Sequence, residues 1–162
     1  MGCTQDILGD YHLTATTTED EILRAAEAIL HRRFQRGEAM SDPDAAGRIL
    51  KMRLAHIAHE VFSVVFLDTR HRILAIEDLF QGSIDSCEVH PRVVIKRALE
   101  LNAAAVILGH QHPSGDPEPS AADRALTSRL KQALSLVDIR LLDHFVVGGA
   151  RAPISMAARG WV

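Results

Sequence analysis

The segment Val61 to Leu67, Val-Phe-Ser-Val-Val-Phe-Leu, is β-branched and aromatic at odd and even positions alike. A strand that alternates apolar with polar residues can rest one face in water. This one cannot, so it must run through the interior of a sheet that is covered on both faces. Ala104 to Leu108 reads the same way, and such strands are covered by helices. Asp68-Thr69-Arg70-His71 supplies a turn into a further strand, Ile73 to Phe80, which makes a hairpin with the first. His90-Pro91 opens a helix, Ser120 opens another that runs to about Leu136, and Ile139 to Val147 returns as a strand.

Upstream of the buried strand the pattern is helical. Thr18 and Glu21 make a capping box, after which Ile22, Ala25, Ala26, Ile29, Leu30 and Phe34 recur on one face and Gly37 ends the helix. Asp42-Pro43 starts a second helix that carries Ile49, Leu50, Leu54 and Ile57 inward. Residues 1–17, polar and Thr-rich, read as poorly ordered. The predicted order is ααββαβαβ. It describes an α/β fold in which a mixed β-sheet is flanked by helices, with residues 1–57 as a tail and N-terminal helical hairpin and residues 58–162 as the main domain.

Composition narrows the function classes. At 162 residues the chain is one domain's length, and its 18 Lys+Arg against 21 Asp+Glu leave a net charge of −3. The basic excess that neutralises phosphates is missing, and five Phe, one Tyr and one Trp leave few rings to stack on bases, so the numbers argue against nucleic-acid binding. Cys3 and Cys87 form no Cys-x-x-Cys pair, which suits a reducing, cytoplasmic setting. Cys87 reads as a small buried hydrophobe. The first twenty residues hold no Lys or Arg and no apolar run of signal-peptide length, and no window reaches the roughly 18 apolar residues of a membrane helix, so neither secretion nor a membrane span is expected.

The chemistry concentrates in residues 106–124, VILGHQHPSGDPEPSAADR. A buried strand ends at Gly109, and His110 and His112 follow at a spacing that points both rings to one side of extended backbone. A turn-rich loop then leads to a helix beginning at Ser120, short enough to bring Asp123 back over the strand end. Two imidazoles and one carboxylate suit Zn²⁺ and leave a fourth position open for water, as a catalytic zinc needs. Ser120 and Asp123 equally satisfy a plain helix start, cap and first-turn acid, with no metal at all. Of the nine histidines the others need no metal. His56 and His59 precede Glu60 without forming His-Glu-x-x-His or its inverse and read as helix-surface residues; His90 reads as a helix cap. His144, next to Asp143 in a buried strand, reads as half of a hydrogen-bonded core pair, with support of a metal ligand as the alternative.

His110-x-His112, seven residues, Ser120, two residues and Asp123 resembles the motif of the JAMM (MPN+) metallopeptidase superfamily at every spacing. Within it, the chain is most similar to the bacterial RadC family. HxHPSGDPEPS, the preceding stretch from Val89 to Leu108, and LLDHxVVG from Leu141 to Gly148 each resemble that family's JAB domain, over roughly residues 58–162. The resemblance implies a JAB/MPN, cytidine-deaminase-like three-layer fold and one zinc ion per chain on His110, His112 and Asp123. It also implies Ser120 as the hydroxyl that serves the developing oxyanion, and an upstream Glu as general base. Glu60, Glu77 and Glu88 are the candidates, and Glu60 is favoured because it begins the strand that is apolar on both faces. The implied activity is zinc-dependent cleavage of a peptide or isopeptide bond in a peptide or protein substrate. A zinc nucleobase deaminase is disfavoured by the absence of its Pro-Cys-x-x-Cys signature. The family's traditional name raises a second expectation, a DNA repair or recombination accessory module. Salt-dependent binding to duplex or branched DNA is what that module would show.

Overall fold

The all-apolar strand takes the central place its composition demands. The computed structural model describes residues 3–5, 11–13, 17–35, 40, 42–82 and 88–162. In chain order the elements are β1 (Cys3–Gln5), β2 (Tyr11–Leu13), α1 (Glu19–Gln35), α2 (Pro43–Leu54), β3 (Val61–Leu67) and β4 (Ile73–Gln81). There follow α3 (Pro91–Glu100), β5 (Ala105–Gln111), α4 (Ala121–Ser135), β6 (Arg140–Val147) and β7 (Ile154–Ser155). The main sheet has the order β4-β3-β5-β6-β7. β3 is antiparallel to both neighbours, and β5 runs parallel to β6 through the α4 crossover, so the sheet is mixed. Every residue of β3 is buried.

The two faces of the sheet carry separate cores. Ala46, Leu50 and Leu54 of α2 lie against Val61, Val65, Ile107, Phe145 and Val147. On the opposite face Val94 and Ala98 of α3 and Leu130 and Leu134 of α4 cover Phe62, Val64, Phe66 and Leu108. Alternation along β3 and β5 thus feeds both layers, and each fully buried aliphatic or aromatic side chain contributes about 1.5–3 kcal/mol. α2 seats tightly: a Cβ on Gly109 would come within 2.7 Å of both Leu50 methyl carbons. α1 packs on α2. It is tied to the sheet through Arg53, whose guanidinium binds Asp78 of β4 at 2.9 and 3.0 Å and Glu27 of α1 at 2.5 Å. Half-burial pushes the Asp78 carboxyl up, but the Arg53 and Ser63 hydrogen bonds outweigh it and hold the group below its ordinary value.

Helix starts follow the capping residues. Glu21 and Thr18 exchange side-chain and backbone bonds, and Asp42 accepts from Asp44 N at 2.9 Å with Pro43 behind it. His90 occupies its cap position without a capping bond from its ring, which lies edge-on to Phe80 instead. His56 and His59 are exposed but fall beyond the end of α2, in the turn that leads to β3. Three short strands are additions to the expected order, two of them in the stretch expected to be poorly ordered. The Thr-rich N-terminal stretch contains an antiparallel ribbon, Cys3 opposite Leu13 and Gln5 opposite Tyr11, and β7 pairs with β6. Strands of two or three residues are too short to display a period of two. Gly37 and Cys87 lie outside the described residues. Among the described residues no helix is long and apolar enough to cross a membrane.

Candidate metal centre

Because β3 is antiparallel to β5 while β6 is parallel to it, the start of β3 and the ends of β5 and β6 meet at one end of the sheet. Phe62 lies opposite His110, and Val146 flanks His110 on the other side. The carboxyl ends of strands are where open α/β sheets place ligands. Here that end receives His110, 1% exposed and on the α4 face, and then His112, whose backbone N–H donates to Val147 O at 2.9 Å. The two rings converge as their spacing predicts: His110 Nε2 and His112 Nε2 are 3.1 Å apart.

The loop after His112 is folded back over β6. Gly148 meets it so closely that a Cβ there would lie 2.4 Å from Pro117 N and 2.7 Å from Gly115 O. The return places Asp123, in the first turn of α4, 3.1 Å from His110 Nε2 through Oδ1 and 3.4 Å from His112 Nε2 through Oδ2. One ligand atom from each of His110, His112 and Asp123 lies within 4.8 Å of the others, and the three could hold a metal ion. Gly148→Ala must displace loop backbone rather than a flexible side chain. It is expected to cost about 1–3 kcal/mol of stability in a denaturant titration.

The helix-start reading of Ser120 and Asp123 is realised, and it leaves Asp123 able to face the two imidazoles as well. Ser120 Oγ accepts from Asp123 N at 3.1 Å, while Asp123 Oδ2 accepts from Ser120 N and from Ser120 Oγ, each at 2.7 Å. This capping box leaves Oδ1 directed at His110. His112 Nδ1 lies 2.8 Å from the Asp116 carbonyl, which can only accept, so that nitrogen carries a proton and Nε2 is the ring atom turned toward Asp123 and His110. An anionic carboxylate and borderline-soft imidazole nitrogens aimed at one point are the donor set that zinc takes in tetrahedral sites, so these residues fit the ion.

Burial pushes the Asp123 carboxyl up, but the neighbouring His110, His112 and Ser120 overwhelm it and leave the group far below the carboxylate range. The bond to Asp123 raises His112 above its ordinary value, burial opposes the rise, and Asp116 and the charges of Asp123 and Glu60 add to it. Burial drives His144 well below its ordinary value, which keeps the ring neutral.

The three candidate bases are separated by position. Glu60 is half-buried and immediately precedes β3 at the metal end, two residues before Phe62, whose ring stacks on His110 at 6.2 Å and 14°. Gln111 pins that segment: its Oε1 accepts from Val61 N at 3.0 Å, and its amide nitrogen donates to the carbonyl of His59. The Glu77 carboxylate is taken by Arg97 of α3 at 2.6 and 2.8 Å, which lowers its pKa. The Glu88 side chain is 85% exposed and lies 3.9 Å from His90.

Residues outside the sequence motif complete the site. Asp143 and His144 do not pair through their side chains, because neighbours in a strand point to opposite faces. Asp143 Oδ1 accepts from the backbone of His144 and Ala157, and Oδ2 from Ser155 Oγ at 2.6 Å. The His144 ring instead lies between His110 Nδ1, at 2.8 Å, and Thr127 Oγ1, at 2.7 Å. Of the two readings of His144, the structure therefore shows the ring behind His110, a candidate ligand, and not paired with the Asp143 side chain. Thr127, four residues after Asp123 on α4, and Gln111, the middle residue of His-x-His, carried only weak signals: a helical repeat and an alternation.

Comparison with known proteins gives a consistent picture. Residues 40–161 match a family model described as the RadC-like JAB domain. A UPF0758 protein of Xanthomonas campestris pv. campestris (strain 8004) is 59% identical over 140 residues, covering 86% of this chain and 62% of that protein. One from Xanthomonas oryzae pv. oryzae (strain PXO99A) is 58% identical over 144 residues, covering 86% of this chain and 64% of its own length. A UPF0758 protein of Vibrio cholerae serotype O1 is 50% identical over 152 residues, with 94% of this chain and 95% of the relative covered. The chain thus spans somewhat less than two thirds of the Xanthomonas relatives and nearly all of the Vibrio one.

Proposed function

The chain belongs to the RadC-like JAB domain family, and from that premise we propose that it is a zinc-dependent hydrolase that cleaves a peptide or isopeptide bond. One observation carries the reading: His110 Nε2, His112 Nε2 and the Asp123 carboxylate meet at the carboxyl end of β5, and the ring proton of His112 is committed elsewhere. His110, His112 and Asp123 would hold the ion. Zinc in such a site supplies a Lewis acid and lowers the pKa of water toward about 7.

The remaining work falls to the chain's own side chains. The Glu60 carboxylate takes a proton from the attacking water and passes it to the leaving amine, a role suited to a half-buried acid at the sheet end. Ser120 Oγ–H turns from Asp123 Oδ2 to the developing oxyanion, while Asp123 N continues to hold the serine oxygen in place. The loop 113–119, seated on Gly148, and the start of α4 form one wall of the site.

The test uses the purified chain with peptide and isopeptide-linked fluorogenic probes. Cleavage is expected, lost on treatment with a chelator and restored by zinc. A chain that takes up no stoichiometric zinc, or whose cleavage is indifferent to the chelator, rules the reading out.

A further inference from the structure

We propose that Thr127 and His144 form a proton-ordered relay that fixes His110 in its Nδ1–H form and so presents Nε2 as a lone pair to the metal. The inference rests on the metal reading above and assigns two positioning residues to it. All three members are sealed from water: Thr127 and His144 are 0% exposed and His110 is 1% exposed. The direction of every bond in the chain follows from one proton count.

Thr127 Oγ has a single proton and three neighbours: the Asp123 carbonyl at 2.7 Å, His144 Nδ1 at 2.7 Å and Met156 Sδ at 3.5 Å. The carbonyl and the thioether can only accept, and the carbonyl is the nearer and the stronger acceptor, so the proton goes there. His144 Nδ1 must then donate to the hydroxyl oxygen. The ring nitrogens of His144 face a hydroxyl and another imidazole, and a second proton would seal an uncompensated charge between two neutral groups, so the ring carries one proton. Its Nε2 is then a lone pair, and at 2.8 Å it accepts Nδ1–H of His110. His110 Nε2 is left unprotonated, 3.1 Å from His112 Nε2 and from Asp123 Oδ1. The opposite order would set the hydroxyl lone pairs against the Asp123 carbonyl oxygen at a site closed to solvent. The relay also closes on itself: its far end is anchored on the backbone of Asp123, the residue that supplies the carboxylate ligand.

Removing the hydroxyl breaks the order. In Thr127→Val, Nδ1–H of His144 has no acceptor, and an orphaned buried N–H is disfavoured over an orphaned lone pair. The proton shifts to Nε2, faces Nδ1–H of His110 and pushes the His110 proton to Nε2, the nitrogen the metal needs. Loss of a hydrogen-bond partner behind a metal-ligating His lowers metal affinity by about 10–100-fold.

The experiment titrates zinc alone against a competing chelator for the parent chain, Thr127→Val and Thr127→Ser. Long-range ¹⁵N–¹H histidine spectra of the zinc-loaded parent accompany it. Expected are a weakening of about 10–100-fold in Thr127→Val, parental affinity in Thr127→Ser, and a His144 protonated at Nδ1. Equal affinities for the parent and Thr127→Val, or His144 protonated at Nε2 in the parent, overturn the relay while leaving the metal centre standing. A parent that takes up no zinc overturns both. The spectra of the parent decide the proton order even if the valine variant does not fold.

Discussion

His110→Ala is expected to purify without zinc, and the parent chain with one ion. The substitution leaves only His112 and Asp123, and two protein ligands do not hold zinc where a catalytic site uses three. The consequence reaches stability as well. A ligand present at a hundred times its Kd stabilises the folded chain by about 2.7 kcal/mol, so added zinc raises the Tm of the parent and not of the variant. His110 is nearly fully buried, and its loss also strips His144 Nε2 of its partner, a cost of about 1–3 kcal/mol that the metal-free protein will show. His112→Ala separates the two effects. The His112 side chain is 21% exposed and closes no buried relay, so its removal is expected to abolish zinc uptake with little change in metal-free stability. Metal content by mass spectrometry, with Tm measured with and without zinc, decides. Parental zinc stoichiometry in His110→Ala would overturn the ligand set.

How much of this was readable beforehand depends on how far each signal extends along the chain. The central position of β3 is written in seven consecutive apolar or small residues, and the covered sheet follows from it. The convergence of His110 and His112 is a period-two statement and needs no tertiary knowledge. Ser120 and Asp123 were ambiguous for a physical reason: the carboxylate that caps a helix and the one that faces two imidazoles can be the same group. Here Asp123 caps with Oδ2 and turns Oδ1 to His110. At His144 adjacency misleads, since Asp143 beside it suggests a side-chain pair that strand alternation forbids. Which partner waits on the other face depends on where α4 crosses, and that is set by packing of Leu130 and Leu134 rather than by any local pattern. Gln111 was hidden between two histidines. A buried amide at the end of a strand is visible only once the segment it pins, His59 to Val61, has been brought alongside.

Glu60→Gln is expected to keep its zinc and lose turnover. A carboxamide has nearly the shape of the carboxylate but cannot take a proton from water or hand one to the leaving amine, and losing a positioned general base lowers kcat by about 10²–10⁴-fold. Glu60 is not among the three candidate ligands, so metal content and the zinc-induced rise in Tm are expected to match the parent. As a half-buried residue at a strand start, its replacement is expected to change stability by no more than about 0.5 kcal/mol. The other two acids supply the contrast. Glu77→Gln gives up the Arg97 pair at the sheet edge, worth about 0–1 kcal/mol of stability, and leaves the rate alone; Glu88→Gln changes neither. The pattern across the three variants is what identifies the base, because a general loss of folding would lower all rates and a lost ligand would lower metal content. Parental kcat in Glu60→Gln, or a selective loss in Glu77→Gln, moves the base elsewhere. Loss of zinc from Glu60→Gln would instead make Glu60 a fourth ligand and close the position that the attacking water requires.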